Sequence, residues 1–239
     1  MDDADRYVIG VKTEVAVARV RSQVAARHAD LVSRGLLVST AGAVSERVPH
    51  ADLFVIRPAG IPGDDLAPEN MVLCELDGTV VSATPGGNRA ASTDAALHAA
   101  AYRALPDVNA IVHAQSGYAA AWAARGEEIP CVTVSAAEMF GGPVPVAPIG
   151  GGDDDLVRSV LAVLGESRSP AVLIAGHGAF TVGTSGPAAQ ATATLLEDVA
   201  RTTHLAQQAG SVPSLPQQLI DRRHDAFRRA TSPTTDDRR

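Results

Sequence analysis

The chain's apolar stretches are short, cut by Gly and Pro, and alternate with segments of helical spacing. That pattern most restricts the fold. None of the runs approaches the length needed to span a bilayer, and several are strand-length and β-rich. Val11, Val15, Val20, Val24 and Leu31 recur at helical intervals, and Gly35 is placed to end that helix. Residues 36–48 (LLVSTAGAVSERV) and 52–62 (DLFVIRPAGIP) read as strand segments, and 71–83 (MVLCELDGTVVSA) as two strand runs about an Asp77-Gly78 turn. A glycine-rich loop at 84–93 leads through Ser92-Thr93-Asp94 into a helix that stops near Pro106. Then follow a strand (109–115), a helix ending at Gly126, a strand (129–134), a loop (143–152) and an amphipathic helix opening on three aspartates. Residues 170–183 (PAVLIAGHGAFTVG) hold a buried strand, a Gly-His-Gly break and a second strand. A long helix then runs from Ser185 and Pro187 towards Gly210. Strands alternating with helices, with at least one hairpin among them, predict one three-layer α/β/α domain with a mixed or largely antiparallel sheet over residues 1–228, and a disordered tail over 229–239.

Composition narrows the function. A net charge of −7 and a pI near 5.4 argue against a nucleic-acid binder, whose footprint is a basic face. A small-molecule substrate fits better as partner. Cys74 and Cys131 lie in apolar runs and read as buried free thiols, not as a disulfide framework. The acidic start, MDDADRY, carries no apolar leader, so a cytoplasmic location and no membrane contact are expected.

His113 and His177 stand out among seven histidines, each at the end of an apolar run, His177 between two glycines. Singly, each reads as a hydrogen-bonded structural histidine. Together with Asp94 at a helix start, they make a metal donor set that suits zinc, iron(II) or manganese. Spacing alone does not bring them together. In a strand, His113 and Gln115 would share a face. His98, one turn after Asp94, reads as a helix anchor, while His28, His50, His204 and His224 have polar, exposed-looking surroundings. Glu138 reads as a loop glutamate beside apolar residues, able to serve as acid or base.

The segments GLLVSTAGAVSER, FVIRPAGIP, LDGTVV, STDAALHAAAYRALPDVNAIVHAQSGYAAAWAARGEEIP and AVLIAGHGAFTVG, in this order, resemble the class II aldolase/adducin family from about Gly35 to Gln208. The resemblance implies an α/β/α fold with a mainly antiparallel sheet, a C4 homotetramer with interfacial active sites, and a divalent metal, usually zinc. Its ligands would be Asp94, His113 and His177, with Asp94 a ligand, the catalytic base, or both in turn. The second histidine of the family's HxH motif is Gln115 here, a poorer zinc ligand through its amide oxygen, which opens the site to iron(II) or manganese. The substrate's anion would meet Gly42, Arg57, Gly60, Ser92 and Thr93. Two polar partners of that loop set are gone, replaced by Ala43 and Ala59. Arg57 and Arg89 would still suit a carboxylate. Glu138 falls where the epimerases place an acid/base aspartate. No tyrosine follows Tyr118 to match the family's C-terminal proton donor; His224 and Phe227 stand in the tail instead. The function implied is a divergent metal-dependent lyase, retro-aldol or decarboxylating, acting on a small hydroxy- or oxo-acid through a stabilised enediolate. Sugar-phosphate aldolase or 4-epimerase, iron(II)-dependent oxygenase, and a non-catalytic adducin-like assembly module are the alternatives.

Overall fold

Along the chain the elements are α1 (Val11–Ser33), β1 (Ala43–Arg47), β2 (Leu53–Ile56), β3 (Val72–Glu75), α2 (Ala95–Ala104), β4 (Ala110–Ala114), α3 (Gly117–Arg125), α4 (Val134–Phe140), β5 (Val146–Ala147), α5 (Asp153–Glu166), β6 (Ala171–Ile174), β7 (Gly178–Gly183), α6 (Gly186–Gln208) and α7 (Gln217–Thr231). They come from a computed structural model that describes residues 10–38, 40–81 and 89–231. The expected class holds: a three-layer α/β/α fold whose central sheet has the order β3-β2-β1-β4-β7-β6-β5. Of the strand pairs with a defined register, β1–β2, β1–β4, β2–β3 and β6–β7 are antiparallel and β5–β6 is parallel. The chain divides into two compact units, Met1–Ala114 with Val182–Gln190, and Gln115–Thr181 with Ala191–Arg239.

In the first unit, α1 buries Val20, Val24 and Leu31, whereas Val15 is exposed, so the apolar stripe is narrower than the valine spacing suggests. The helix ends in a Schellman motif. Gly35, at φ +71°, donates to Val32 O at 2.9 Å, and Leu36 donates to Leu31 O at 2.9 Å. Strand β1 lies between β2 and β4, setting Ser45 opposite both Ile56 and Ile111 and Ala43 opposite His113. The turn at Asp77-Gly78 forms, with Thr79 N donating to Asp77 Oδ1 at 2.8 Å. Of the run after it, the described residues 79–81 make an isolated bridge, Val80 with Cys74, and no second strand; the rest lies outside the described residues.

In the second unit, a core of Trp122, Ile129, Phe140, Leu196, Val199 and Ile220 collects helices α3, α4, α6 and α7. Two expectations fail here. Residues 129–134 are not a strand: only Ile129 makes a bridge, to Val144, and the segment turns into α4, with Thr133 Oγ1 accepting from Ala136 N at 3.2 Å as N-cap. Within the expected loop at 143–152, β5 adds a two-residue edge strand beside β6. Helix α7 continues to Thr231, so residues 229–231 are helical; the rest of the expected tail lies outside the described residues. Both cysteines are free and buried, as expected, and burial pushes the Cys74 thiol up to about 12. No helix among the described residues is long and apolar enough to cross a membrane.

Candidate metal centre and anion loops

Asp94 stands at the N-cap of α2, where a carboxylate ordinarily accepts from the helix's own first-turn N–H groups. Here it makes no such bond. Its Oδ1 lies 3.2 Å from His113 Nδ1 instead, with His113 only 2% exposed and the Asp94 side chain 19% exposed. Ser92 fixes the other oxygen. Its hydroxyl donates to Asp94 Oδ2 at 3.4 Å and accepts from Asp94 N at 3.3 Å. His113 is the fourth of the five β4 residues, and Gly42 lies against its backbone. At Gly42, φ is +79°, and a Cβ would stand 2.6 Å from His113 O. The first unit therefore brings Asp94, Ser92, His113 and Gly42 together.

One turn into α2, His98 is wholly buried. Its Nδ1 is 2.7 Å from Ser45 Oγ, which is 2.7 Å from Tyr102 OH. Burial pulls His98 down to about 3, against a smaller opposing pull from Asp94. It is a neutral anchor that ties α2 to β1, as its sequence context implies.

Arg57 has a different task from the one expected. It is 1% exposed, and its Nη1 donates to Thr40 O at 2.9 Å and Gly42 O at 3.1 Å, while Nη2 donates to Ile61 O. Both terminal nitrogens thus have backbone partners. Arg57 instead gathers the loops: its own carbonyl accepts from Ser92 N at 3.0 Å, and Ala59 N donates to Ala90 O at 2.9 Å. Three segments named as anion-binding, around Gly42, Gly60 and Ser92, are thus tied about one buried guanidinium. Its positive charge lies in a poorly screened place. Gly60 (φ +72°) and Thr93 are exposed, as is Arg89; Gly86 and Gly87 lie outside the described residues. A lone arginine inside the apolar run FVIRPAGIP was the available sign that Arg57 is buried.

In the second unit, His177 is half-buried in the turn between β6 and β7. Its N–H donates to Ile174 O at 2.9 Å, and Gly176 before it has φ +69° and donates to Ala123 O at 2.8 Å. Among the described residues, Asp94, His113 and His177 are the one group of three His, Cys, Asp or Glu side chains that could hold a metal ion. Two imidazoles and a carboxylate suit a divalent transition metal. Gln115 is half-buried and lies beyond the end of β4, so the strand alternation that pairs it with His113 stops short of it. Glu138 is not a loop residue. It sits on α4, half-buried, 3.7 Å from Arg223 Nη1. His224 is buried against α4, its Nδ1 3.0 Å from Glu138 O and its ring against Gly141, so it is not an exposed substitute for a tyrosine; Phe227 is half-buried. His28 is also buried, contrary to its polar sequence surroundings, whereas His50 is exposed.

Nothing in the sequence marks Glu197. From α6 its carboxylate accepts from Ser116 Oγ at 2.6 Å and from Tyr118 N and Ala119 N, each at 2.9 Å, which caps α3 directly after β4 and Gln115.

The chain matches the family model described as Class II Aldolase and Adducin N-terminal domain over residues 22–204. The L-ribulose-5-phosphate 4-epimerase UlaF of Salmonella paratyphi B is 30% identical over 199 residues, covering 79% of this chain and 86% of the relative. The probable L-ribulose-5-phosphate 4-epimerase UlaF of Mycoplasma pneumoniae is 29% identical over 230 residues, covering 87% and 93%. Among solved structures, an L-fuculose 1-phosphate aldolase superimposes with a TM-score of 0.80 at 25% identity, over 88% of this chain and 96% of that one.

Proposed function

The chain belongs to the class II aldolase and adducin family, and on that premise we propose that it is a divalent-metal-dependent aldolase or 4-epimerase of a small phosphorylated ketose. The carrying observation is the Asp94 carboxylate turned off its own helix and onto His113, at 3.2 Å. With His177 these residues would hold the ion, for which zinc is our assignment, and Gln115 would offer an amide oxygen or leave a water in its place. When bound, such an ion polarises adjacent carbonyl and hydroxyl oxygens and eases loss of a proton or carbon group beside them. Ser92 holds the Asp94 carboxylate in orientation. Glu138 would carry the proton between substrate carbon and solvent.

Phosphate is favoured over carboxylate by the backbone bonds that Arg57 already makes. A hydroxy- or oxo-acid substrate would rest on Arg57 as a fork, and both terminal nitrogens of that guanidinium already donate to the Thr40, Gly42 and Ile61 carbonyls. What remains is a cradle of loops over a buried positive charge, with Ser92 and Thr93 supplying hydroxyls. Ala43 and Ala59 lower affinity without removing the cradle, by roughly 1 kcal/mol for each lost hydrogen bond.

The test is metal analysis of the purified protein joined to turnover of L-ribulose 5-phosphate and L-fuculose 1-phosphate. One divalent ion per chain, activity lost on chelation and restored by zinc, and metal affinity reduced tenfold or more in both Asp94→Ala and His177→Ala support the assignment. A folded protein with neither metal nor turnover overturns it and leaves an assembly module. Light scattering on the same sample checks the homotetramer that the family premise implies.

A further inference from the structure

A cavity of about 1030 Å³ opens in the first unit along α1 and is lined by Lys12, Arg19, Arg27, Arg47, Glu46 and His50 among others. Its place is set by the sheet register. Strand β1 meets His113 through Ala43 at one end, while at the other Glu46 lies opposite Ala110 and Arg47 N donates to Asn109 O. Three or four residues of strand separate the two ends, on the order of 10–13 Å. The cavity is therefore distinct from the Asp94–His113 pair and from the anion loops.

The lining charge is unlike the rest of the chain. Four guanidinium or ammonium groups, of Lys12, Arg19, Arg27 and Arg47, face one carboxylate, that of Glu46, a net of three positive charges on a chain whose net charge is −7. Glu46 is itself spent: it is 7% exposed and accepts from Arg27 Nε. Gly186 makes room for that pair, since a Cβ there would collide with both side chains. Arg47 is held over the Tyr102 ring, 5.1 Å from its centroid, and donates to Tyr102 O. Lys12 and Arg19 are exposed, and neither forms an ion pair with another described residue. A further cavity of about 290 Å³ continues this one through Arg47, Pro49 and His50, and Asp52 adds a carboxylate at that side. Among the described residues His50 is the one non-glycine with a positive φ, +60°, a conformation that usually persists only where the surroundings impose it.

From this concave cluster we infer a second anion site, for a compact polyanion of the phosphorylated small-molecule class, held by Lys12, Arg19 and Arg47 with His50 at its rim. A cleft lined by one sign of charge concentrates counter-ions, and its volume is that of a small-ligand pocket.

Inorganic pyrophosphate titrated calorimetrically into the full-length protein at low ionic strength tests this. Saturable binding is expected, weakened tenfold or more in the double variant Lys12→Glu/Arg19→Glu. In His50→Gly, which relieves the backbone conformation, binding weakens severalfold while Tm is kept or raised. His177→Ala leaves binding unchanged. Absence of saturable binding overturns the inference. So does equal affinity in the double variant, or loss of binding in His177→Ala, which places the ion at the metal centre. Tm of each variant separates lost binding from lost folding.

Discussion

Gly42 shows how much a single residue constrains this site. The family resemblance marks it as an anion-loop residue, but its conformation has a second cause: φ of +79° and a backbone oxygen of His113 where a Cβ would go. Gly42→Ala therefore combines a disfavoured φ with a steric overlap, a loss on the order of 2–4 kcal/mol. Because the overlap falls on His113, metal affinity is expected to drop with stability. Urea denaturation and a metal titration on the same variant check this; unchanged values in both would show that the loop yields. Asp94, His113 and His177 are named as candidate donors by the family resemblance, through short motifs, while their spacing alone does not join them. Arg57 was legible as a residue but not in its role, since the carbonyls of Thr40, Gly42 and Ile61 that occupy it are set by loop conformation.

At the scale of elements, most of the helices and strands follow from pattern and punctuation: the Gly35 stop of α1, the Asp94 start of α2, and the aspartates opening α5. The run IPCVTV misleads because β-branched residues suit a strand and also the extended approach to a helix cap. Thr133 is that cap, and α4 after it has only seven residues, too short for helical periodicity to declare itself. Helix α7 is hidden by its charge, with Ile220 and His224 its buried residues. The capping of α3 by Glu197 was beyond sequence for a different reason: donor and acceptor are about eighty residues apart. Glu197→Ala removes three hydrogen bonds to a charged acceptor and leaves two α3 N–H groups unpaired, at a cost of about 3 kcal/mol. Glu197→Gln keeps an acceptor oxygen and should lose about half of that. Thermal unfolding of the two variants gives the order, and equal losses would mean that the charge, not the hydrogen bonds, carries the effect.

For the molecule as a whole, acid sensitivity follows from histidines that fold away neutral. His28 is pulled down to about 4, chiefly by burial and further by the Arg57 charge, and His98 to about 3, chiefly by burial. In the unfolded chain both titrate near 6.5. Between these values the unfolded chain binds the extra protons, so the stability contributed by keeping the rings neutral is complete above about pH 6.5 and is lost as pH falls towards 4. With both groups acting, the slope there approaches roughly 2.7 kcal/mol per pH unit. His28 allows the contribution to be isolated. It lies in the first unit, fully buried, and neither ring nitrogen bonds another of the described residues. Replacing it by leucine removes a titrating group without orphaning a partner, since no polar atom depends on it. His28→Leu should therefore match or exceed the parent in stability at pH 7.5 and lose about half as much of it between pH 6.5 and 4.5. Urea midpoints at intervals across that range measure the slope. A variant with the parent's slope would mean that His98 and the carboxylates, not His28, govern the acid limb.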